Sequence, residues 1–431
     1  MKGRLNLFQA AMLRWRALHP YNAVHVVRVT QAIDPARLDS AVRGELQDLG
    51  LTGLDLDARG RRYEWTGGVA GMGLRVITGS GDAFAVLCRE IERELNAGFA
   101  VAGRFDPFRF FAVDDGAAFY LGLAYDHVIA GGDSIVALLQ GVVGRLLHGP
   151  APVTAAQVAA LRYGPTYARL FRRQLLACTK SLLALPRLAA SCRRAFRPPY
   201  AAPQDGYNAF AFVRIDAADR ARLETCARAW GISSHDLLLA ILFKGLSPLV
   251  AQRLQSPQRD EIAIASIMNI RRELGTEASA ALAPYLASFR VSHRAPDDMA
   301  LRDLAMAVHE QTNAIKRRKG YLQTLLAMVV AGAEWRLLST LQRQRFYAKH
   351  YPVCAGTTPL GVDRLWTGAD TAAPGPDYIR AVSTGPLAPM ILAFTMAGGV
   401  INVGITFRTT VFRRAAVDGV AAAMLNAIRT L

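Results

Sequence analysis

The stretch Leu121-Gly122-Leu123-Ala124-Tyr125-Asp126-His127-Val128-Ile129-Ala130-Gly131-Gly132-Asp133-Ser134 reads as a strand that delivers a histidine to its end, a loop of small residues, and the start of a helix. Alternation along the strand places His127 on the face of Phe119, Leu121, Leu123 and Tyr125, with Asp126 on the opposite face. Gly131 and Gly132 leave room for a ligand to approach the backbone. Ser134 is expected to cap a long apolar helix to about Leu147, whose free N–H groups aim at the same place. A histidine held there suits general-base work, because its unperturbed pKa lies near neutrality. The same residue also reads as a strand-end histidine with a hydrogen-bonded structural role, since one histidine and a glycine pair are weak evidence alone.

Working outward, helix and strand patterns alternate. Leu7 to Leu18 reads as a short amphipathic helix, and Ala23 to Val29 as a β-branched strand. Asp34 and Pro35 open a helix to Leu49, and Phe84 to Leu95 forms another. Phe108 to Val113 pairs with Phe119 to Tyr125 through Asp114-Asp115-Gly116. After Tyr207 the alternation resumes: strand Phe210 to Ile215, helix Ala218 to Trp230, an apolar helix from Ser234 kinked at Pro248, and strand Ile262 to Met268. A helix follows from Met299 to Lys319, then a hairpin through Gly398-Gly399, then a terminal helix from about Ala415 to Ile428.

The 431 residues exceed one ordinary core, and 52% hydrophobic with 20% charged residues excludes a disordered chain. No run of about 18 apolar residues predicts a transmembrane helix, and the basic start lacks the apolar stretch of a signal peptide. Five scattered cysteines predict free thiols in a reducing cytoplasm, and the histidine spacings predict no metal site.

The net charge of +17 is unevenly spread. Ser134 to Gln204 contains no Asp or Glu and ten basic residues, including Arg169, Arg172, Arg173, Lys180 and Arg187. Arg173, Lys180, Arg187 and Arg194 recur every seven residues, which predicts one helical face, and leucines fill much of the rest. An anionic membrane surface, an acidic acyl carrier protein or nucleic acid would each match the charge. Nucleic acid ranks last, for want of interleaved aromatics, so no nucleic acid partner is expected. A solvated linker helix is the remaining reading. The boundaries read as 1–160 for a first lobe, 161–205 for a basic amphipathic linker ending in a Pro-rich stretch to Pro203, and 206–431 for a second lobe.

Asp126-His127-Val128-Ile129-Ala130-Gly131-Gly132-Asp133-Ser134 resembles the HHxxxDGxS motif of the chloramphenicol-acetyltransferase-like superfamily, which includes condensation domains, wax-ester synthases and polyketide-associated acyltransferases. Pro20 to Val26 followed by Ile33 to Leu38, the phrase Ile267-Met268-Asn269-Ile270-Arg271-Arg272, and Gly361 to Trp366 extend the resemblance over nearly the whole chain. It implies an α/β fold of two lobes, each a mixed sheet with helices, forming a V with a channel between them. It implies an acyltransferase that moves an acyl group from coenzyme A or a phosphopantetheinyl carrier protein to a hydroxyl or amine, with His127 as general base. No permanently bound cofactor is implied, a monomer is the default, and the location is cytoplasmic with peripheral membrane contact as an option. The alternative is a non-catalytic scaffold binding an acyl carrier protein or lipid.

Two positions depart from the motif: Asp126 replaces its first histidine, and Gly131 replaces its aspartate. In relatives that aspartate holds an arginine of the other half. The expectation is that Asp133 takes over, paired in bidentate fashion with Arg271 or Arg272. The other reading is that Asp133 caps the helix with Ser134. Thr357 and Thr358 are expected in a loop on the channel floor, as oxyanion donors or turn residues. Cys354 is a nucleophile only if a base adjoins it, and otherwise a buried inert thiol.

Overall fold

The computed structural model describes residues 1–57, 62–68, 73–79, 81–100, 103–163, 167–202, 204–275, 281–366 and 376–431. Two large sheets carry the architecture. The first has five strands in the order Tyr378–Val382, Asn22–Val29, Phe119–Asp126, Phe108–Asp114, Arg75–Ile77. All its pairings are antiparallel except that of Arg75–Ile77. The second runs Leu286–His293, Ile262–Asn269, Ala355–Thr357, Met390–Ala397, Val400–Arg408, Asn208–Ile215, with Leu360–Gly361 also paired to Met390–Ala397. It mixes parallel and antiparallel pairs. A small four-stranded sheet, Lys2–Arg4, Arg62–Trp65, Leu54–Leu56 and Arg104–Phe105, completes the set.

The elements follow local chemistry. Pro35–Asp48 is a helix whose N-cap Asp34 accepts from the N–H groups of Ala36 and Arg37. Leu7–Arg16 opens with a capping box between Asn6 and Gln9. Pro248 ends the helix Ser234–Leu246 and bends the chain by 67°. That helix is buried almost all round, from Leu237 to Phe243, and forms the centre of the second half's core.

The boundary at 206 is not clean. Tyr378–Val382 belongs to the second half in sequence and lies in the first half's sheet, with Arg380 opposite His25. It also packs against Val400–Arg408 of the second sheet. Gly404 makes that approach possible, because a Cβ there would stand 2.0 Å from the carbonyl oxygen of Arg380. One short strand thus belongs physically to both halves.

The basic segment is not one helix. It forms Tyr167–Arg173, Leu175–Leu183 and Leu185–Arg194, broken at Gln174 and Ala184 and bent by 44° between the last two. Pro186 supplies no N–H at the start of the last helix. The seven-residue stripe is therefore interrupted, and Arg194 pairs with Glu261. Residues 164–166 and Pro203 of the expected linker lie outside the described residues.

Candidate active site

The strand Phe119–Asp126 ends where its sequence turns. The N–H of His127 donates to the carbonyl of Tyr21 at 3.1 Å, and the N–H of Ile129 to that of Asp126 at 2.9 Å. Gln9, fully buried, donates through Nε2 to Val128 O at 2.9 Å and fixes the loop from behind. Helix Gly132–His148 then begins with Gly131 as N-cap. It starts two residues before the expected cap. Ser134 lies inside the first turn, and its hydroxyl donates to Ala281 O at 3.0 Å and accepts from Arg271.

His127 and Asp126 diverge as strand parity requires. Asp126 is fully buried and ion-paired to Arg16, and it accepts from the N–H of Val128. Burial pushes its carboxyl up, against the pull of Arg16. His127 turns into a cavity, stacked on Tyr21 with ring centroids 5.6 Å apart and edge-on to Tyr125 at 5.6 Å. Its Nδ1 lies 3.3 Å from Ala130 O. A carbonyl can only accept, so Nδ1 carries the proton and Nε2 keeps its lone pair. Among the described residues Nε2 has no protein partner. Burial, and further off the charge of Arg380, push the pKa of His127 down to about 4. The imidazole is therefore neutral at pH 7.

The cavity is about 450 Å³ and largely apolar, with Trp15, Tyr21, Met328, Leu360 and Ile391 in its wall. Its polar lining includes His127, Asp133, Asn269, Thr357, Thr358 and Arg380, and also Glu334 and His350. This is the composition of a small-molecule site, with apolar walls and a few convergent polar atoms.

Asp133 meets the second half's Asn269-Ile270-Arg271. Asn269 Nδ2 donates to Asp133 Oδ2, and Arg271 Nε stands 3.6 Å from the same oxygen. The bidentate pair is not formed. The guanidinium instead donates to Ala281 O at 2.7 Å, Ala283 O at 2.9 Å and Ser134 Oγ at 2.9 Å. Arg272 is exposed. Gly131 explains the fit: a Cβ there would meet Arg271 Nη2 at 3.1 Å and Pro284 Cα at 3.3 Å. The arginine lies where a side chain at 131 would be.

Thr357 is in the sheet, not a loop, whereas Thr358 lies in the short connection just beyond it, as expected. Thr357 ends its strand, and the Thr358 N–H donates to Leu392 O at 2.9 Å, so that N–H is not free for an oxyanion. The Thr357 hydroxyl is different, being buried at the cavity wall without a hydrogen-bond partner. Cys354 is fully buried, and burial pushes its thiol up to about 11. Arg169, Arg172, Arg173, Lys180 and Arg187 do not line the cavity of His127. Among the described residues no group of three His, Cys, Asp or Glu side chains could hold a metal.

Sequence reasoning missed Arg380. Its side chain is 3% exposed, lines the cavity, and donates to Thr358 O at 2.6 Å and Thr395 Oγ1 at 3.1 Å. No carboxylate is within ion-pair distance among the described residues. Burial lowers its pKa to about 10. Beside it His25, also fully buried, shares a hydrogen bond of 2.8 Å between Nδ1 and the Tyr378 hydroxyl. Neither had a motif to announce it. The only signal was the inward parity of His25 on its strand.

No family model matches the chain, and no curated protein matches it in sequence. Solved structures do. The first condensation domain of the CDA synthetase superposes with a TM-score of 0.70 at 13% identity, over 99% of this chain and 95% of that one. The chain has the condensation-domain fold. The condensation domain of the Monacolin K polyketide synthase MokA gives 0.65 at 13% identity, over 100% and 98%. SgcC5 from Streptomyces globisporus gives 0.65 at 12% identity, over 99% of each chain. The mixed sheets and interspersed helices described above are shared with these solved condensation-domain structures.

Proposed function

We propose that this condensation-fold chain is an acyltransferase that moves an acyl group from a thioester to a hydroxyl or amine, with His127 as the general base. The observation that carries the reading is the state of His127: Nδ1 held by Ala130 O, Nε2 free in an apolar cavity, and the ring neutral. The acceptor's oxygen or nitrogen attacks the thioester carbonyl carbon while Nε2 takes its proton. The tetrahedral intermediate collapses, the C–S bond breaks, and the imidazolium returns the proton to the departing thiolate. General-base help of this kind is worth about 10²–10⁴-fold. The unpartnered Thr357 hydroxyl is the group available to the oxyanion. The donor thioester is carried by coenzyme A or by a phosphopantetheinyl carrier protein, as a substrate and not a resident cofactor.

A second reading, a non-catalytic scaffold for a carrier protein or lipid, is favoured by Gly131, where relatives have an acid. One experiment separates the two. Thiol release is followed with a chromogenic reagent for acyl-CoA and acyl-carrier donors, with alcohol and amine acceptors, in wild type and His127→Ala. Acceptor-dependent release lost in the variant supports the enzyme and names the donor. Carrier binding unchanged by the variant, without turnover in wild type, supports the scaffold.

A further inference from the structure

Helix Leu175–Leu183 is built inside out. It buries Cys178 and Ser181, and presents Leu175, Leu176, Leu182 and Leu183 to solvent at 66%, 81%, 48% and 76% exposure. A helix of a water-soluble surface does the reverse. In the other bent pair of similar length and composition, Ser234–Leu246 with Pro248–Gln255, the longer helix Ser234–Leu246 is a core helix with its leucines covered. The apolar surface continues onto neighbouring elements. Val329 and Val330 lie on helix Tyr321–Glu334, which packs against Leu175–Leu183, and Leu337 follows just beyond it at 88% exposure.

Charge surrounds this face. Arg172, Arg173, Lys180, Arg187 and Arg193 are exposed and have no acidic partner among the described residues. No acid occurs between Ser134 and Gln204. The bent partner helix Leu185–Arg194 faces inward as well, with Leu185, Leu188 and Ala189 in the wall of the His127 cavity. Ala189 and Val330 are at once exposed and cavity-lining, so they mark its rim.

We propose that the helices Leu175–Leu183 and Leu185–Arg194 dock on an anionic lipid bilayer, leucines in the acyl region and basic residues among the headgroups, so that the cavity rim lies against the membrane. Charge complementarity chooses the sign of the surface. The protruding leucines choose its kind, because a fluid acyl layer receives separate side chains on a bent face without a matching pocket. An apolar substrate held in the bilayer then has a short route to His127. The docking itself does not depend on acyl transfer.

Vesicle flotation tests it without any turnover. Wild type is expected to float with phosphatidylcholine vesicles containing phosphatidylglycerol, much less with phosphatidylcholine alone, and less as salt rises. Leu176→Ser with Leu183→Ser is expected to lower binding by about tenfold or more with an unchanged melting temperature, since both side chains are largely solvent-exposed. Arg172→Gln with Arg173→Gln and Lys180→Gln is expected to abolish the preference for anionic vesicles. Absence of flotation on anionic vesicles at low salt overturns the proposal. So does a leucine variant that floats like wild type, or a concentration-dependent dimer lost in that variant without vesicle binding, which would make the face a contact between copies.

Discussion

Arg271 and Asp133 meet beside the His127 loop, and a double-mutant cycle measures how strongly they are coupled. Arg271 is 8% exposed at its side chain and Asp133 22%, with 3.6 Å between Nε and Oδ2. Two unit charges about 4 Å apart attract by about 4 kcal/mol at an effective dielectric near 20, before desolvation is subtracted. Much of that attraction is offset, because Arg271 is also solvated by Ala281 O, Ala283 O and Ser134 Oγ. We expect a coupling of about 1–2 kcal/mol, inside the range usual for contacting residues. Arg271→Met alone should cost about 3–5 kcal/mol, since it strips a buried cation from the carbonyls and carboxylate built around it. Asp133→Asn should cost about 1 kcal/mol, its amide still able to meet Asn269. Urea unfolding of wild type, both single variants and the double variant provides the four free energies. Additivity within about 0.5 kcal/mol would refute the shared role, as would an Arg271→Met midpoint equal to wild type. If Arg271→Met does not fold, Arg271→Lys keeps the charge without the fork and completes the cycle.

His127→Ala should lower acyl transfer by about 10²–10⁴-fold at an unchanged melting temperature. Because the His127 pKa is depressed to about 4, the free base persists as pH falls. The rate in wild type should therefore hold through pH 6 and drop only on approach to pH 4, and a limb near 6.5 would contradict the burial argument. Arg380→Met removes a positive charge that disfavours the imidazolium, so this limb should move to higher pH while Arg380→Lys leaves it nearly in place; pH–rate profiles decide. Thr357→Val should cut kcat by about 10²–10³-fold if its hydroxyl serves the oxyanion and raise stability by about 1 kcal/mol, because an unpartnered buried hydroxyl is lost. Unchanged turnover in that variant would remove Thr357 from the site.

The parts of this molecule governed by local chemistry were legible in the chain. Asp34 and Pro35 start their helix by capping, Pro248 bends its helix by a missing N–H, and alternating side chains reveal Phe119–Asp126 and its turn toward His127. The helix start at Gly132 instead of Ser134 was not legible, because Leu282 O, 151 residues away in the chain, receives the N–H of Gly131 and draws the loop tight. Arg380 and the strand Tyr378–Val382 were illegible for a similar reason. Five residues carry little periodicity, and their strand is defined by partners at Ala23–Val27. The inverted helix Leu175–Leu183 looked like any leucine-rich segment, since composition does not tell which side is covered.

The strand Tyr378–Val382 also sets an order for folding. Its partner Asn22–Val29 precedes it in the chain and is buried along nearly its whole length, and Val27 and Tyr378 lie about 350 residues apart. At the usual pace of about 5–20 residues per second, synthesis leaves that strand's outer edge unpaired for roughly 20–70 s. An open β edge with valine side chains is a template for intermolecular pairing. A nascent first half is thus the aggregation-prone species in this protein's life, and any truncation ahead of Tyr378 prolongs that state indefinitely.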